Sequence, residues 1–561
     1  MRATRRIASS TLARTTRLLP RRSDWTVARP SRDLTAGLMV SLVALPLALG
    51  FGVSSGLGAT AGLVTAIVAG AVAAVFGGSR VQVSGPTGAM TVVLVPIIAT
   101  HGPDGVLVVG LLAGLVLVGL GYAGAGRFIR YVPVPVVEGF TVGIAVIIAL
   151  QQVPAALGAD VRAERVLVLA VRAARAWAAD PDWVPLGITA AVVLLVLLTA
   201  RVLPLLPGSL AAVVLATLAT SAFGWDATTI GHVPRSLPAP SLPTVPWADL
   251  DALLLPAVAV AALAALESLL SATVADGMSV GQRHDSDREL VGQGLANLAS
   301  PLFGGIPATA AIARTAVNVR SGARSRLAAL THAVLLLAVV LVAARWVGEI
   351  PRAALAGVLI ATAVQMVRVS SLTALLRSTR GDAVVLVTTA VATIALDLVT
   401  AVLIGLVVAG FFALRQAAGS ARLEEMPLDE ADHGDEERSL LDEHIVAYRL
   451  DGPLFFAAAH DFLLELTEVT RVRVVILRMS RVTALDATGA HVLADTISRL
   501  EHRHVTVLLS GVQAHHEQVL RELGVHAGLA HERHLFATTP EAIAHARVHA
   551  ARVAHGPAPV S

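Results

Sequence analysis

Residues 300–323 read SPLFGGIPATAAIARTAVNVRSGA, and the fold turns on how this stretch is read. Gly304, Gly305 and Pro307 interrupt an apolar run, and a short helix is expected to open at Ala308 and Thr309. Upstream, an apolar span carries one carboxylate, Glu267, and the polar connection DGMSVGQRHDSDREL (276–290) leads into the break. A soluble helix has no reason to hide an acid in such a run. A broken helix beside an intramembrane carboxylate is how membrane carriers build an anion site. The stretch therefore points to a carrier and away from an enzyme.

The rest of the chain agrees with a membrane solvent. Of 561 residues 55% are hydrophobic and 15% charged, and the mean hydropathy is +0.73, well above that of a soluble domain. Residues 34–79 contain no charged side chain, room for two spans of ~20 residues each. There is no cysteine, which excludes a disulfide frame and a thiolate metal site. The pI near 10 invites a nucleic-acid reading. The positive charge, however, is concentrated in residues 1–32, with nine Arg against Asp24, and in short loops. That pattern fits membrane topology and not a nucleic-acid partner. Residues 1–32 read as a cytoplasmic arm, because a full span follows at once where a cleavable signal would stop.

Taken in order, the spans are expected at about 34–53, 59–77, a short third helix after a break at 77–87, 105–126, 133–152, 184–203 and 207–223. A partly amphipathic piece lies at 154–182, and an extended proline-rich connector at 234–246 separates the halves. The second series falls at about 252–275, 289–303, a short helix at 308–319, 327–346, 351–368, 382–397 and 398–415, giving about 14 transmembrane segments. On this numbering Arg80, Arg127, Arg130, Arg201, Arg283, Arg320, Arg324, Arg326, Arg368, Arg377 and Arg380 share the side of the arm. Arg162, Arg165, Arg172 and Arg175 fall opposite, in a loop that also holds several acids. The segments GGSRVQVSGPTGAM (77–90) and FGGIPATAAIA (303–313) occupy corresponding places. Two 7-segment halves with matching interruptions mean an inverted repeat, because an odd number of crossings flips the second copy. After Arg415, residues 419–440 read as an acidic linker. Residues 441–545 read as a small cytoplasmic α/β domain with strands HIVAYRLDG, VRVVILRM and VTVLLSG, and residues 546–561 as a disordered tail.

At the start of a helix the first N–H groups lack intrahelical partners and the dipole adds partial positive charge. Two such ends facing each other bind an anion without a fully buried Arg. The expected donors are Thr87 and Gly88 on one short helix and Ala308, Thr309 and Ala310 on the other. The bland alternative is a pair of packed, kinked helices. A carboxylate at the membrane centre costs ~2.5–3.5 kcal/mol, so Glu267 should be protonated part of the time or paired. Ser271, one turn on, could share its ion. The bland alternative for Glu267 is a hydrogen bond between helices. Glu138, Asp397 and His332 lie near span ends and read as interfacial or packing residues. Arg314 on the short helix is an electrostatic candidate or a structural one. His101, His284 and the C-terminal histidines show no metal spacing, and no metal or organic cofactor is expected.

The run ESLLSATVADGMSVGQRHDSDRELVGQGLANLASPLFGGIPATAAIARTAVNVRSGA (267–323) closely resembles the signature of the SulP (sulfate permease) anion transporters. VSGPTGAM (83–90) resembles that family's third-helix motif, VALPLALGFGVSSGLG (43–58) its first span, and the C-terminal part a STAS domain. The resemblance implies 14 segments in two inverted repeats, a mobile core and a gate, elevator-like transport and a homodimer. It implies that Thr87 and residues 308–310 line the anion site, that Phe51 closes it, and that Glu267 is the coupling position. Three departures stand out. Leu47 replaces a Gln of animal relatives, and Glu267 replaces the Asp of a sodium-dependent bicarbonate group. The turn phosphorylated in regulatory STAS proteins reads Asp486-Ala487-Thr488-Gly489, leaving Thr488 as its only regulatory hydroxyl.

The expectation is thus a secondary carrier of a small anion of the sulfate type in the inner (plasma) membrane, with both termini cytoplasmic. A proton is the coupling ion, with sodium as the alternative. Bicarbonate and C4-dicarboxylates are rival substrates, and an uncoupled anion channel or a STAS-linked sensor are rival classes. A cytoplasmic protein is the expected partner of the STAS domain.

Overall fold

The computed structural model describes Leu18, Pro20 and residues 30–554, apart from 164, 204–206, 245–249, 280–282, 397, 419–421, 426–443, 455–471, 524, 526–528 and 530–533. The chain divides into two compact units, residues 1–407 and 408–561.

The first unit is helical. Helix α1 (Pro30–Ser54) and α2 (Ala59–Phe76) lead to a two-residue strand, β1 (Ser84–Gly85), which runs into α3 (Gly88–Ala123). Within it the third and fourth expected spans are two helical pieces that meet at Gly102, whose φ of 67° and the following Pro103 break the helical ladder. Then come α4 (Val134–Gln151), α5 (Val153–Leu157), α6 (Val166–Ala179), α7 (Trp183–Val202) and α8 (Gly208–Phe223). The proline-rich connector is irregular where it is described. It is tied down by Ser241 N–H donating to the Leu302 carbonyl at 2.7 Å and, just ahead of it, by Gly231 N–H donating to the Gly348 carbonyl at 3.0 Å.

The second series is α9 (Leu250–Met278), α10 (Ser286–Leu302), β2 (Thr309–Ala310), α11 (Ile312–Arg320), α12 (Arg326–Gly348) and α13 (Arg352–Met366). It ends with α14 (Val369–Ser378), α15 (Arg380–Ala395) and α16 (Leu398–Ala418). Helix α14, which buries no residue, lies between the expected spans at 351–368 and 382–397. Helix α11 starts at Ile312, four residues later than expected, because residues 309–310 are extended and paired with β1.

Eight helices among the described residues are long and apolar enough to cross a membrane. Their outer faces carry Leu194, Leu255 and Val342, each at least two-thirds exposed. Apolar surface of that extent is stable against lipid, and each helix satisfies its own backbone there. Helices α1, α2, α3 and α9–α12 pack mainly on one another, whereas α4 packs on α15 and α13, and α7 on α13 and α8.

The second unit has a sheet in the order β3 (Arg422–Glu425), β4 (Ile445–Leu454), β5 (Val474–Leu485), β6 (Thr506–Ser510), β7 (Leu535–Phe536). All pairs are parallel except β3–β4. One face packs on α17 (Ala487–His502) and α18 (Ala514–Glu522), the other on α19 (Thr539–Ala554). Parallel strands covered on both faces read as apolar runs, as VVIL and VLL do here. Two expected boundaries move. Residues 422–425, placed in the linker, form an edge strand. Residues 546–554, placed in the tail, continue α19, with Ala546 and Ala550 in the core.

Candidate functional site

The two interrupted segments meet. Ser84 pairs with Ala310 and Gly85 with Thr309, antiparallel and fully buried. Pro86 has no N–H to continue β1, and the Ala308 N–H just before β2 is taken by Asn297, so the pairing stays short. Thr87 then caps α3: its Oγ1 accepts the Met90 N–H at 3.3 Å. Helix α11 has no side-chain cap at Ala311. Its leading N–H groups and those of α3 therefore open beside one crossing, the arrangement that favours negative charge.

One helix holds both segments. Along α10, Glu289, Gln293, Asn297 and Ser300 line a buried face at helical spacing. Glu289 Oε2 accepts the N–H groups of Gly78 (2.7 Å) and Ser79 (3.0 Å). Gln293 Nε2 donates to Ser84 Oγ at 2.6 Å. Asn297 both accepts from the Ala308 N–H and donates to the Ala308 carbonyl, each at 2.8 Å. Thr65 on α2 accepts the Ile306 N–H at 2.7 Å, and Ser300 donates to the Ile306 carbonyl at 2.9 Å. Buried polar groups persist where they are hydrogen-bonded, and these pairings tie α10 to both segments of the crossing.

Helix α9 supplies the acid. Glu267, partly accessible, accepts the Thr87 hydroxyl at 2.9 Å, and Thr309 and Arg314 are its other electrostatic neighbours. Ser268 lies on the crossing itself, with Thr309 Oγ1 at 3.0 Å and the Ala310 N–H donating to it at 3.2 Å. Arg314, in the first turn of α11, is 1% exposed, and none of its three guanidinium nitrogens has a hydrogen-bond partner among the described residues. Gly85 makes its room: a Cβ there would stand 2.6 Å from Nη1. Phe51 on α1 is buried against Gly88, where a Cβ would meet its ring edge at 3.1 Å. His332, also fully buried, lies in the electrostatic range of Arg314.

The structure thus brings Phe51, Thr87, Gly88, Glu267, Thr309 and Arg314 to one place. It assigns others differently. The Ala308 and Ala310 amides, expected as helix-end donors, serve Asn297 and Ser268, because they precede α11. Ser271, expected beside the Glu267 ion, donates to Thr315 Oγ1 at 3.1 Å. Arg314, expected as an electrostatic or a structural residue, is fully buried beside the crossing. Glu138 is a buried partner of Arg368 (2.7 Å) and Ser371 (3.0 Å). His332 is a packed interior residue, not an interfacial one. Asp397 lies outside the described residues. Thr488 is exposed in the first turn of α17, beside the Asp486 cap. The α10 residues were missed, although polar positions at 289, 293, 297 and 300 in an apolar span were a readable signal.

Comparison with known proteins places this geometry. The sulfate permease family matches residues 31–389, and the STAS domain matches residues 441–542. The putative sulfate transporter YvdB of Bacillus subtilis is 34% identical over 514 residues, covering 88% of this chain and 94% of its own. The bicarbonate transporter BicA of Synechocystis is 30% identical over 518 residues, covering 88% and 90%. Among solved structures, the transmembrane domain of a cyanobacterial BicA superposes with a TM-score of 0.61 at 31% identity, covering 69% of this chain and 98% of that one. Murine Slc26a9 in its inward-facing state shares the fold, with a TM-score of 0.81 at 18% identity over 96% of this chain and 95% of that one. With one family model spanning residues 31–389 and a second spanning 441–542, the chain belongs to the sulfate permease family of membrane anion transporters and carries a C-terminal STAS domain.

Proposed function

We propose that this protein is a proton-coupled secondary carrier of a small inorganic anion of the sulfate type, held between the leading ends of α3 and α11. The observation that carries the reading is Arg314: a buried guanidinium without a hydrogen-bond partner is costly unless an anion completes it. The uncapped first turn of α11, the Gly88 backbone and the Phe51 ring border the same space. Glu267 explains the coupling. As a carboxylate it competes with an incoming anion for Arg314 and the helix ends. Once protonated, it withdraws that competition, so proton and anion bind best together and cross together. Sodium neutralising the same carboxylate is the alternative coupling.

The rest of the proposal is architectural. The chain forms fourteen segments in two inverted repeats, α1–α3 and α9–α12 move as a core against the remaining helices, and the protein is a homodimer in the plasma membrane with both termini cytoplasmic. The segregated packing of these two helix groups supports the first two points. Similarity to a named bicarbonate transporter makes bicarbonate the rival substrate, with C4-dicarboxylates next and an uncoupled channel as the rival class.

Reconstituted protein is to be tested for uptake of labelled sulfate, bicarbonate and fumarate under an imposed proton or sodium gradient, as wild type and Glu267→Gln. Gradient-driven uptake of sulfate by protons, lost in the variant, is the expected result. Sodium-driven bicarbonate uptake moves the assignment to the rival, and flux indifferent to both gradients and to the variant makes the protein a channel or uniporter.

A further inference from the structure

Outside the membrane unit, three imidazoles converge. His545 and His549 lie one turn apart on α19, beside the buried stripe Ala542, Ala546 and Ala550. His534, buried, enters β7 at the edge of the sheet. The ligand nitrogens of all three lie within 4.8 Å of one another, and the ring centroids are 4.9, 5.2 and 5.6 Å apart. Among the described residues no other group of three or more histidine or carboxylate side chains is gathered in this way.

We propose that His534, His545 and His549 form a binding site for one divalent transition-metal ion of the zinc class, which joins the last helix of the STAS domain to its edge strand. The donor set selects the ion. Three neutral imidazole nitrogens, with no carboxylate in the group and no cysteine in the chain, suit zinc, nickel, cobalt or copper and not calcium or magnesium, which need oxygen ligands. Tetrahedral coordination at ~2.0–2.1 Å sets ligand nitrogens roughly 3.3 Å apart, a closure that side-chain rotation at two helical positions and one strand entry supplies. Three protein ligands leave a fourth position open to water or to a group from outside. Because the ligands are separated in the unfolded chain, the ion stabilises this corner of the domain by mass action.

The test uses the full chain, purified in detergent without a polyhistidine tag and stripped with chelator. Zinc titration by calorimetry, with metal analysis after desalting, should give about one tightly held ion per chain. His545→Ala and His549→Ala should each weaken binding by more than the ~10–100-fold that loss of an outer-shell partner costs. His515→Ala, at a histidine on α18, should leave it unchanged. Zinc should raise the melting temperature of the wild type but not of His549→Gln, a variant that keeps a polar side chain of similar bulk should the alanines fail to fold. Absence of saturable binding, or binding retained in both His545 and His549 variants, overturns the site.

Discussion

Arg314 and Glu267 bring opposite charges to one buried crossing. Arg314→Ala is expected to abolish gradient-driven uptake. Arg314→Lys should restore only a minor part, because an ammonium lacks the planar fork that meets an oxyanion at two points. Initial rates in proteoliposomes decide this, and full activity of the alanine variant would remove Arg314 from the site. Gly85→Ala tests the same place from the backbone: with the new methyl carbon 2.6 Å from Nη1, Arg314 must shift, so uptake should fall at least tenfold while the protein still folds. Thr87 has a separate role. Thr87→Ser keeps both the cap and the Glu267 bond and should transport. Thr87→Val loses both, and should lose ~1 kcal/mol of helix stability together with proton dependence. Each of these residues was visible as an oddity of composition in an apolar span. Their meeting, across the 180 positions from Thr87 to Glu267, was implied by the paired interruptions and the family resemblance and by no local rule.

Helix α10 is the element on which the crossing depends. Asn297 meets the Ala308 N–H and carbonyl at once, which needs a side chain that accepts through one atom and donates through another. Asn297→Ala leaves two buried backbone groups unpaired at ~1–3 kcal/mol each, and Asn297→Asp repairs only the acceptor side. Both variants should lower the melting temperature in detergent and lose uptake, the aspartate as severely as the alanine. An aspartate variant with wild-type stability would show that the pairing is not what fixes β2. The breaks themselves were legible, because Gly and Pro punctuate an apolar run by local sterics alone. The start of α11 was not. Residues 309–310 are extended only because β1 lies against them, and helix propensity knows nothing of a partner 225 residues away.

At the scale of the whole molecule, composition announced a membrane protein with a separate C-terminal α/β domain, since hydropathy is summed over long windows and survives small errors. Domain edges did not, because edge strand β3 and the last turns of α19 are too short or too polar to read alone. Removing residues 546–561 should therefore unfold the STAS unit, since Ala546 and Ala550 complete one face of its sheet. Limited proteolysis of the truncated protein checks this, and unchanged resistance would return those residues to a tail. The crossing has a further consequence, in the order of synthesis. The Gly78 amide waits for Glu289, 211 positions downstream, and β1 waits for β2. A nascent chain therefore enters the bilayer with its first half-helix ready and nothing yet to receive it. Through the emergence of half the membrane unit, water, lipid headgroups or an insertion factor must stand in for α10, so the newborn protein is most vulnerable well before its last helix is made.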